Sequence, residues 1–291
     1  MCGWPIPEKS AIINADDLGF SRAINEGIFQ AHANGIVTSA TLAANMPAAQ
    51  QACGALAEHQ TLGVGVHLNF CQGPCLSDLG RAMLAGSDGQ MNRSAVGLIF
   101  SCLVKPAILR AIEAEADAQI RRALDMGLRP THLDSHRHAH AYLPIFRCVV
   151  RLARRYGISY IRKPIERLAG GGWAKSTGRG ALTARLVSTC GAFGVFTSAW
   201  RLCAASGTWG IAHTGLLDRD WFIHCAHNLP AGLTEIMTHP GLLDPCPVCS
   251  GRLDKSRPAE LEALCDPVVR QAFADAGVRL IHYGQLKDLV V

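Results

Sequence analysis

Apolar and polar positions alternate between two periods along the chain, and the switches between them mark the elements. Ala11 to Ala15 is a short apolar run ending in Asp16-Asp17-Leu18-Gly19, which reads as a buried strand closed by a polar turn. Ser21 can cap a helix whose apolar positions Ile24, Ile28 and Ala31 keep helical spacing, with Gly35 as its stop. Ile36 to Ala43 reads as a second strand, Asn45-Met46-Pro47 opens a second helix, and Leu62 to Phe70 is a third strand carrying His67. The order β-α-β-α-β argues for a parallel sheet with crossover helices.

After a less regular stretch, 71–105, the pattern resumes. Ile112, Ala116, Ile120 and Leu124 form the stripe of a helix ended by Gly127. Thr131 to Asp134 reads as a strand end, Pro144 to Tyr156 as a helix ended by Gly157, and Ile158 to Ile161 as a strand. Periodicity is weak over 168–230, where Gly170-Gly171-Gly172 suggests a flexible loop or lid. Leu233 to Thr238 is a further strand running into His239-Pro240-Gly241; Pro258 to Ala276 is helical with a break at Pro267; Val278 to Ile281 is the last strand. No linker or repeat interrupts the series, so one α/β domain over 1–291, a barrel, fits best.

Composition narrows the class. With 49% hydrophobic and 18% charged residues the chain is not disordered, and 29 Gly and 14 Pro without a period exclude collagen-like structure. A net charge of +5, with basic clusters only at Arg151-Arg154-Arg155 and Arg162-Lys163, reads as solvated faces and gives no nucleic-acid signature. Twelve cysteines are spread along the chain, and Met1 to Ser10 shows no apolar core behind a basic start, so mostly reduced, buried thiols in a cytoplasmic protein are expected. Cys246-Pro247-Val248-Cys249 has no second such pair and reads as a loop, as do Cys71 and Cys75. The uncharged run Leu186 to Trp200 holds 15 residues, short of the roughly 20 that span a bilayer. Peripheral membrane contact stays open, as does a homodimer face over 186–217. No phosphate-cradling glycine motif is present.

The chemistry lies at strand ends. Asp16-Asp17, His67, His136 and His239 sit at or just beyond the C-terminal ends of expected strands, the edge at which parallel α/β folds build sites. Two adjacent carboxylates can divide the work, one binding a metal and the other staying free as a base. In an extended backbone His132, Asp134, His136, His138 and His140 would share one face, and four imidazoles with a carboxylate are too polar for a core face and suit a divalent ion. Not all five can bind an ion directly, because a catalytic site keeps a position open; the others would support the ligands or hold substrate.

These segments resemble the YdjC-like carbohydrate deacetylases, the group that includes chitooligosaccharide deacetylase and the hopanoid-associated deacetylases. The resemblance rests on Ile13 to Gly19, Gly35 to Thr41, Gly65 to Asn69, Pro130 to His140 and His239-Pro240-Gly241, and covers roughly 11–165 and 232–287. Leu18 stands where that family usually has Phe. The resemblance implies a deformed, TIM-like (β/α) barrel holding one divalent metal and hydrolysing the N-acetyl group of an amino sugar. By position Asp17, His67 and His136 match its metal ligands, Asp16 its base and His239 its acid; His132, Asp134, His138 and His140 are left to support ligands or substrate. Zn²⁺ suits imidazole with carboxylate, while Mg²⁺, Mn²⁺, Co²⁺ and Ni²⁺ stay open. The acceptor is a chitooligosaccharide or a lipid-linked amino sugar such as a hopanoid glycoside, with 168–230 as part of its wall. Another barrel metallohydrolase, a phosphoesterase or a different amidohydrolase, is the alternative reading, and a glycan- or metal-binding protein without turnover is a third.

Overall fold

The computed structural model describes residues 8–166, 178–198, 202, 204–243 and 253–287, with backbone alone at 179 and 193–198. Gly170-Gly171-Gly172 and the Cys246–Cys249 pair lie outside the described residues. The first half runs β1 (Lys9–Leu18), α1 (Arg22–Ala33), β2 (Ser39–Leu42), α2 (Ala49–Ala55), β3 (Gly63–Leu68), β4 (Gln72–Pro74), α3 (Asp78–Met83), β5 (Gln90–Asn92), α4 (Ala95–Val104) and α5 (Ala107–Asp125). It continues through β6 (Leu133–Ser135), α6 (Leu143–Arg155), α7 (Gly178–Ser198), β7 (Thr208–Trp209), α8 (Arg219–Asn228), β8 (Gly232–Thr238), α9 (Arg257–Cys265), α10 (Pro267–Asp275) and β9 (Arg279–Leu280).

One parallel sheet is ordered β6-β3-β2-β1-β8-β7, with β9 beside the first half of β1. The segment 160–165 curls this sheet into a distorted barrel. Leu133 N–H donates to the Tyr160 carbonyl (3.0 Å), Arg162 N–H to that of Leu133 (2.9 Å), and Thr208 N–H to that of Ile165 (2.9 Å). The expected strand Ile158 to Ile161 is reduced to a single bridge between Ile161 and Leu133. Pro164 lacks the N–H that would continue a ladder there. Apolar side chains of β1, β2 and β3, among them Ile13, Ala15, Leu42, Val66 and Leu68, are buried in one core with the helices around them.

The helices begin and end for the expected reasons. The Ser21 hydroxyl accepts from Ile24 N–H at the start of α1 (3.2 Å), and Pro267 separates α9 from α10. Gly127 and Gly157 sit just past α5 and α6 with φ of +85° and +67°, a left-handed backbone that glycine adopts without penalty. The irregular stretch 71–105 forms the β4–β5 hairpin with α3 and α4. Buried Glu115 of α5 pins its entry by accepting from Leu76 N–H (3.0 Å), Ser77 N–H and the Ser77 hydroxyl (both 2.9 Å). Among the described residues no helix is long and apolar enough to cross a membrane. Cys71, Cys75, Cys102, Cys148 and Cys225 are free and buried, while Cys190 is free and exposed.

Three further expectations change. First, β1 does not stop at Ala15 but runs through both aspartates to Leu18; its register against β2 shifts between Ala15 and Leu18, with Asp17 at φ +69°. This bulge sends neighbouring carboxylates to different partners, as bulges beside sites do. Second, the extended stretch carrying the histidines ends at Ser135. Residues 136–141 form a tight helical turn, with Arg137 and His138 at positive φ (+55° and +53°), so the alternating residues do not share one face. Third, Arg162 is not a solvated cation; it is fully buried in the barrel.

Candidate active site

The bulge at the end of β1 puts Asp17 at the floor of a cleft of about 1020 Å³, lined also by Asp16, His67, His136, His138 and His239. The Asp17 Oδ1 atom faces His136 Nδ1 at 3.2 Å and His67 Nε2 at 3.6 Å. Ligand atoms of Asp17, His67 and His136 lie within 4.8 Å of one another, the arrangement a single ion requires. Buried His136 Nε2 has no hydrogen-bond partner. His67 approaches Asp134 Oδ1 through its Nδ1 atom at 2.7 Å; in the neutral ring the proton sits there and Nε2 is the ligand atom toward Asp17, so a bound cation would displace the second proton of the imidazolium. The Thr41 hydroxyl donates to Asp134 Oδ2 at 3.1 Å and holds that carboxylate in place. The donor set therefore fits a divalent cation held by two imidazoles and a carboxylate. Asp16, His67 and Asp134 also come within range of one another, but Arg162 already neutralises both of those carboxylates, which makes them the poorer set.

Arg162 organises the charge beneath this floor. Its guanidinium grips Asp16 with two bonds, 2.7 Å to Oδ2 and 2.6 Å to Oδ1. It also reaches Asp134 Oδ2 and Glu235 Oε1, each at 2.8 Å. The Tyr283 hydroxyl donates to Glu235 Oε2 at 2.7 Å. Burial opposes ionisation of Asp16, but the Arg162 charge and its hydrogen bonds outweigh it and hold the Asp16 pKa below the ordinary value. Burial likewise opposes a charged His67, and the Asp134 carboxylate reverses this, raising the imidazole to about 9. For Asp17 the burial penalty is overcome by Arg257, whose guanidinium lies 2.5 Å from Oδ2, and by His136; its pKa falls well below the usual range.

His239 sits just past β8, and its buried Nδ1 atom has no partner. Burial brings its pKa down to about 4, so the ring is neutral in the free chain. Its backbone N–H donates to Glu260 Oε1 at 2.6 Å, and burial raises that carboxyl to about 8. The remaining histidines divide. His138 lines the cleft, and burial lowers it to about 3. His140 lies underneath, its ring against the Ser135 hydroxyl (2.5 Å) and the Arg162 carbonyl (3.3 Å). His132 does not line the cleft. It stacks on Tyr283 with ring centroids 4.0 Å apart, and a Cβ at Gly65 would fall 2.6 Å from its ring, which explains that glycine.

The sequence profile of the family described as YdjC-like protein matches residues 10–275, a span that includes 168–230. The chain belongs to the YdjC-like family. It is 35% identical over 283 residues to a carbohydrate deacetylase of Geobacillus stearothermophilus, covering 97% of this chain and 99% of that protein. A carbohydrate deacetylase of Brevibacillus brevis is 32% identical over 277 residues, covering 94% and 98%. Among solved structures, a proposed cellobiose-phosphate cleavage protein of Enterococcus faecalis V583 superposes with a TM-score of 0.76 at 21% identity, covering 98% of this chain and 100% of that one. That likeness bears out the barrel-type fold.

Sequence reasoning about this YdjC-like chain missed Arg162, Glu235, Arg257 and Glu260. Glu235 offered a signal: a carboxylate in the middle of an apolar strand must find a partner if buried. Arg162, one residue beyond an expected strand end, offered the complement.

Proposed function

We propose that this chain is a metal-dependent deacetylase that hydrolyses the N-acetyl group of an amino sugar to acetate and a free amine. The observation that carries the reading is the convergence of Asp17, His67 and His136 on one point of the cleft floor, beside a separate carboxylate, Asp16. The names of the relatives supply the reaction class, since both are carbohydrate deacetylases that match nearly the whole chain.

Asp17, His67 and His136 would hold the cation. A bound divalent ion supplies two things here, a lowered pKa for a water and a polarised acyl oxygen. Asp16 would accept a proton from the attacking water. Arg162 and Asn14 both donate to Asp16 Oδ1 (2.6 and 2.9 Å), whereas Oδ2 keeps lone-pair capacity on the side away from Arg162. The same Arg162 grip makes Asp16 a modest base whose acid form readily gives its proton onward. His239, neutral in the free chain, would receive a proton within the cycle and pass it to the departing amine. Asp134 orients His67, and His138, on the cleft wall, would contact substrate. His140 and His132 support the floor from within the barrel. From 168–230, α7 contributes Thr183, Leu186 and Val187 to the cleft, which supports the reading of that region as substrate wall.

The test is acetate release from N,N′-diacetylchitobiose, longer chitooligosaccharides and an N-acetylglucosaminyl lipid, with and without a chelator. Chelator-sensitive acetate is expected from at least one. A metal-loaded chain that releases none, yet cleaves a generic phosphate ester, would replace this reading with a phosphoesterase.

A further inference from the structure

Helix α4 presents an apolar face to solvent at the mouth of the cleft. Its ten residues include no charge. Leu98 and Cys102 face inward and are buried. On the other side Val96, Phe100, Leu103 and Val104 are 75, 65, 65 and 67% exposed. Their spacing places them on one stripe of the helix. Single exposed apolar residues need no explanation, but a contiguous set of four marks an interaction surface.

This face is continuous with the cleft. Val96 and Ile99 of α4 line it, and Leu186 of α7 lines it from another side. Leu186 and Leu182, one turn apart on α7, are 57 and 58% exposed. The β4–β5 hairpin and the turn within it instead bring Asp88, Gln90 and Asn92 to the cleft. The cleft thus has a polar side suited to a sugar and an apolar side that opens onto the α4 surface.

Charge distinguishes what covers that face. Neither α4 nor α7 contains Asp or Glu. Exposed cations neighbour the apolar residues along the chain: Lys105 directly follows α4, Arg110 lies in the first turn of α5 and Arg185 adjoins Leu186, while Arg137 lines the cleft together with Asp88 and Asp254. A second copy meeting the same face across a two-fold axis would bring these cations together, which disfavours it. An anionic lipid surface complements them. A ten-residue helix is about 15 Å long, so it lies in the headgroup region and cannot span a bilayer.

We propose that α4 is an interfacial docking helix that seats the mouth of the cleft on an anionic lipid bilayer, so that substrate enters from the membrane surface. Its consequence for substrate, an amino sugar carried on a lipid, rests on the deacetylase reading; the docking does not.

The test is co-sedimentation of the full chain with vesicles of phosphatidylcholine alone or with phosphatidylglycerol, beside the double variant Phe100→Ser/Leu103→Ser. Neither residue lines the cleft. The chain is expected to bind the phosphatidylglycerol vesicles, less at high salt, and the double variant to bind about tenfold more weakly. Acetate release from a soluble chitooligosaccharide is expected to be unchanged in that variant. A chain that stays in the supernatant, or a variant that binds equally well, overturns the proposal. So does a dimer in solution that the double variant dissociates, which would give the face to a second copy. Vesicle binding is read without turnover, so its failure leaves the deacetylase reading intact, and absence of acetate leaves the docking intact.

Discussion

Replacing Arg162 with Met removes a cation that touches three buried carboxylates at once. Arg162, Asp134 and Glu235 are fully buried, and the guanidinium lies 2.6 to 2.8 Å from Asp16, Asp134 and Glu235. Methionine fills similar space without the charge. Breaking a buried ion pair by deleting one partner costs about 3–5 kcal/mol. Here His67 still faces Asp134, and Glu235, whose pKa burial already raises, can take up a proton, so the lower half of that range is expected. Against a total stability of about 5–15 kcal/mol this is a large fraction, and it should lower the urea midpoint by about 1 M or more. The pH dependence separates this cause from lost packing. Arg162 depresses Asp16 and Asp134, so in the native chain the stabilisation is present above the ordinary carboxylate value of 3.8 and is lost as pH falls through the depressed folded values. In Arg162→Met Asp16 loses its counter-charge and Asp134 keeps only His67, so their folded pKa values rise and the penalty is relieved as pH falls toward 3.8. Urea unfolding of metal-free protein at neutral pH and near pH 4 should therefore show the gap between the two proteins narrowing in acid. A gap under about 1 kcal/mol at neutral pH, or one that does not change with pH, would refute the charge argument.

Other variants follow from the same geometry. Asp16→Asn should bind metal as the native chain does but lose a hundredfold or more in turnover, as about 10²–10⁴ is typical for a proton-transfer group; steady-state acetate release and metal analysis read the two effects separately, and full turnover removes Asp16 as the base. Asp17→Ala or His67→Ala should lower metal affinity by at least about tenfold by isothermal titration, and unchanged affinity would take either residue out of the ligand set. Glu260, held protonated to about 8 against an ordinary 4.5, binds a proton in the fold that the unfolded chain has already released. Its contribution to stability therefore falls as pH climbs from 4.5 to 8, by up to about 1.4 kcal/mol per unit. Glu260→Gln keeps an acceptor for the His239 N–H and should flatten that slope in melting curves taken between about pH 6 and 8; an unchanged slope would mean Glu260 is ionised.

Strand ends were legible because apolar runs stop there: β3, β6 and β8 lie where hydrophobicity places them, and they deliver His67, His136 and His239 to one cleft. What the runs do not encode is local backbone departure. The bulge through Asp16 and Asp17 keeps β1 going beyond its apolar segment, because Arg162 and Arg257 neutralise carboxylates that otherwise read as a turn. The alternation of the histidine-rich segment stops at Ser135, where left-handed residues Arg137 and His138 begin a helical turn. Hence His136 and His138 reach the cleft while His140 packs below it. The buried charge network was hidden for a different reason. Arg162 and Asp16 are 146 positions apart, and Arg257 and Asp17 are 240 apart, so each member alone looks like a surface charge. The exposed face of α4 gave no signal either, since an apolar helix reads as core until its neighbours are known.

The most direct test of the central claim is a metal titration of turnover. Chelator-stripped chain would be supplied with increasing Zn²⁺ while acetate release from the best N-acetylated sugar is followed. Activity is expected to be absent at the start, to rise with added ion and to level off at one ion per chain, with Asp17→Ala needing far more metal. Full acetate release from the stripped chain, or a titration that Asp17→Ala leaves unshifted, would contradict a cation held by Asp17, His67 and His136.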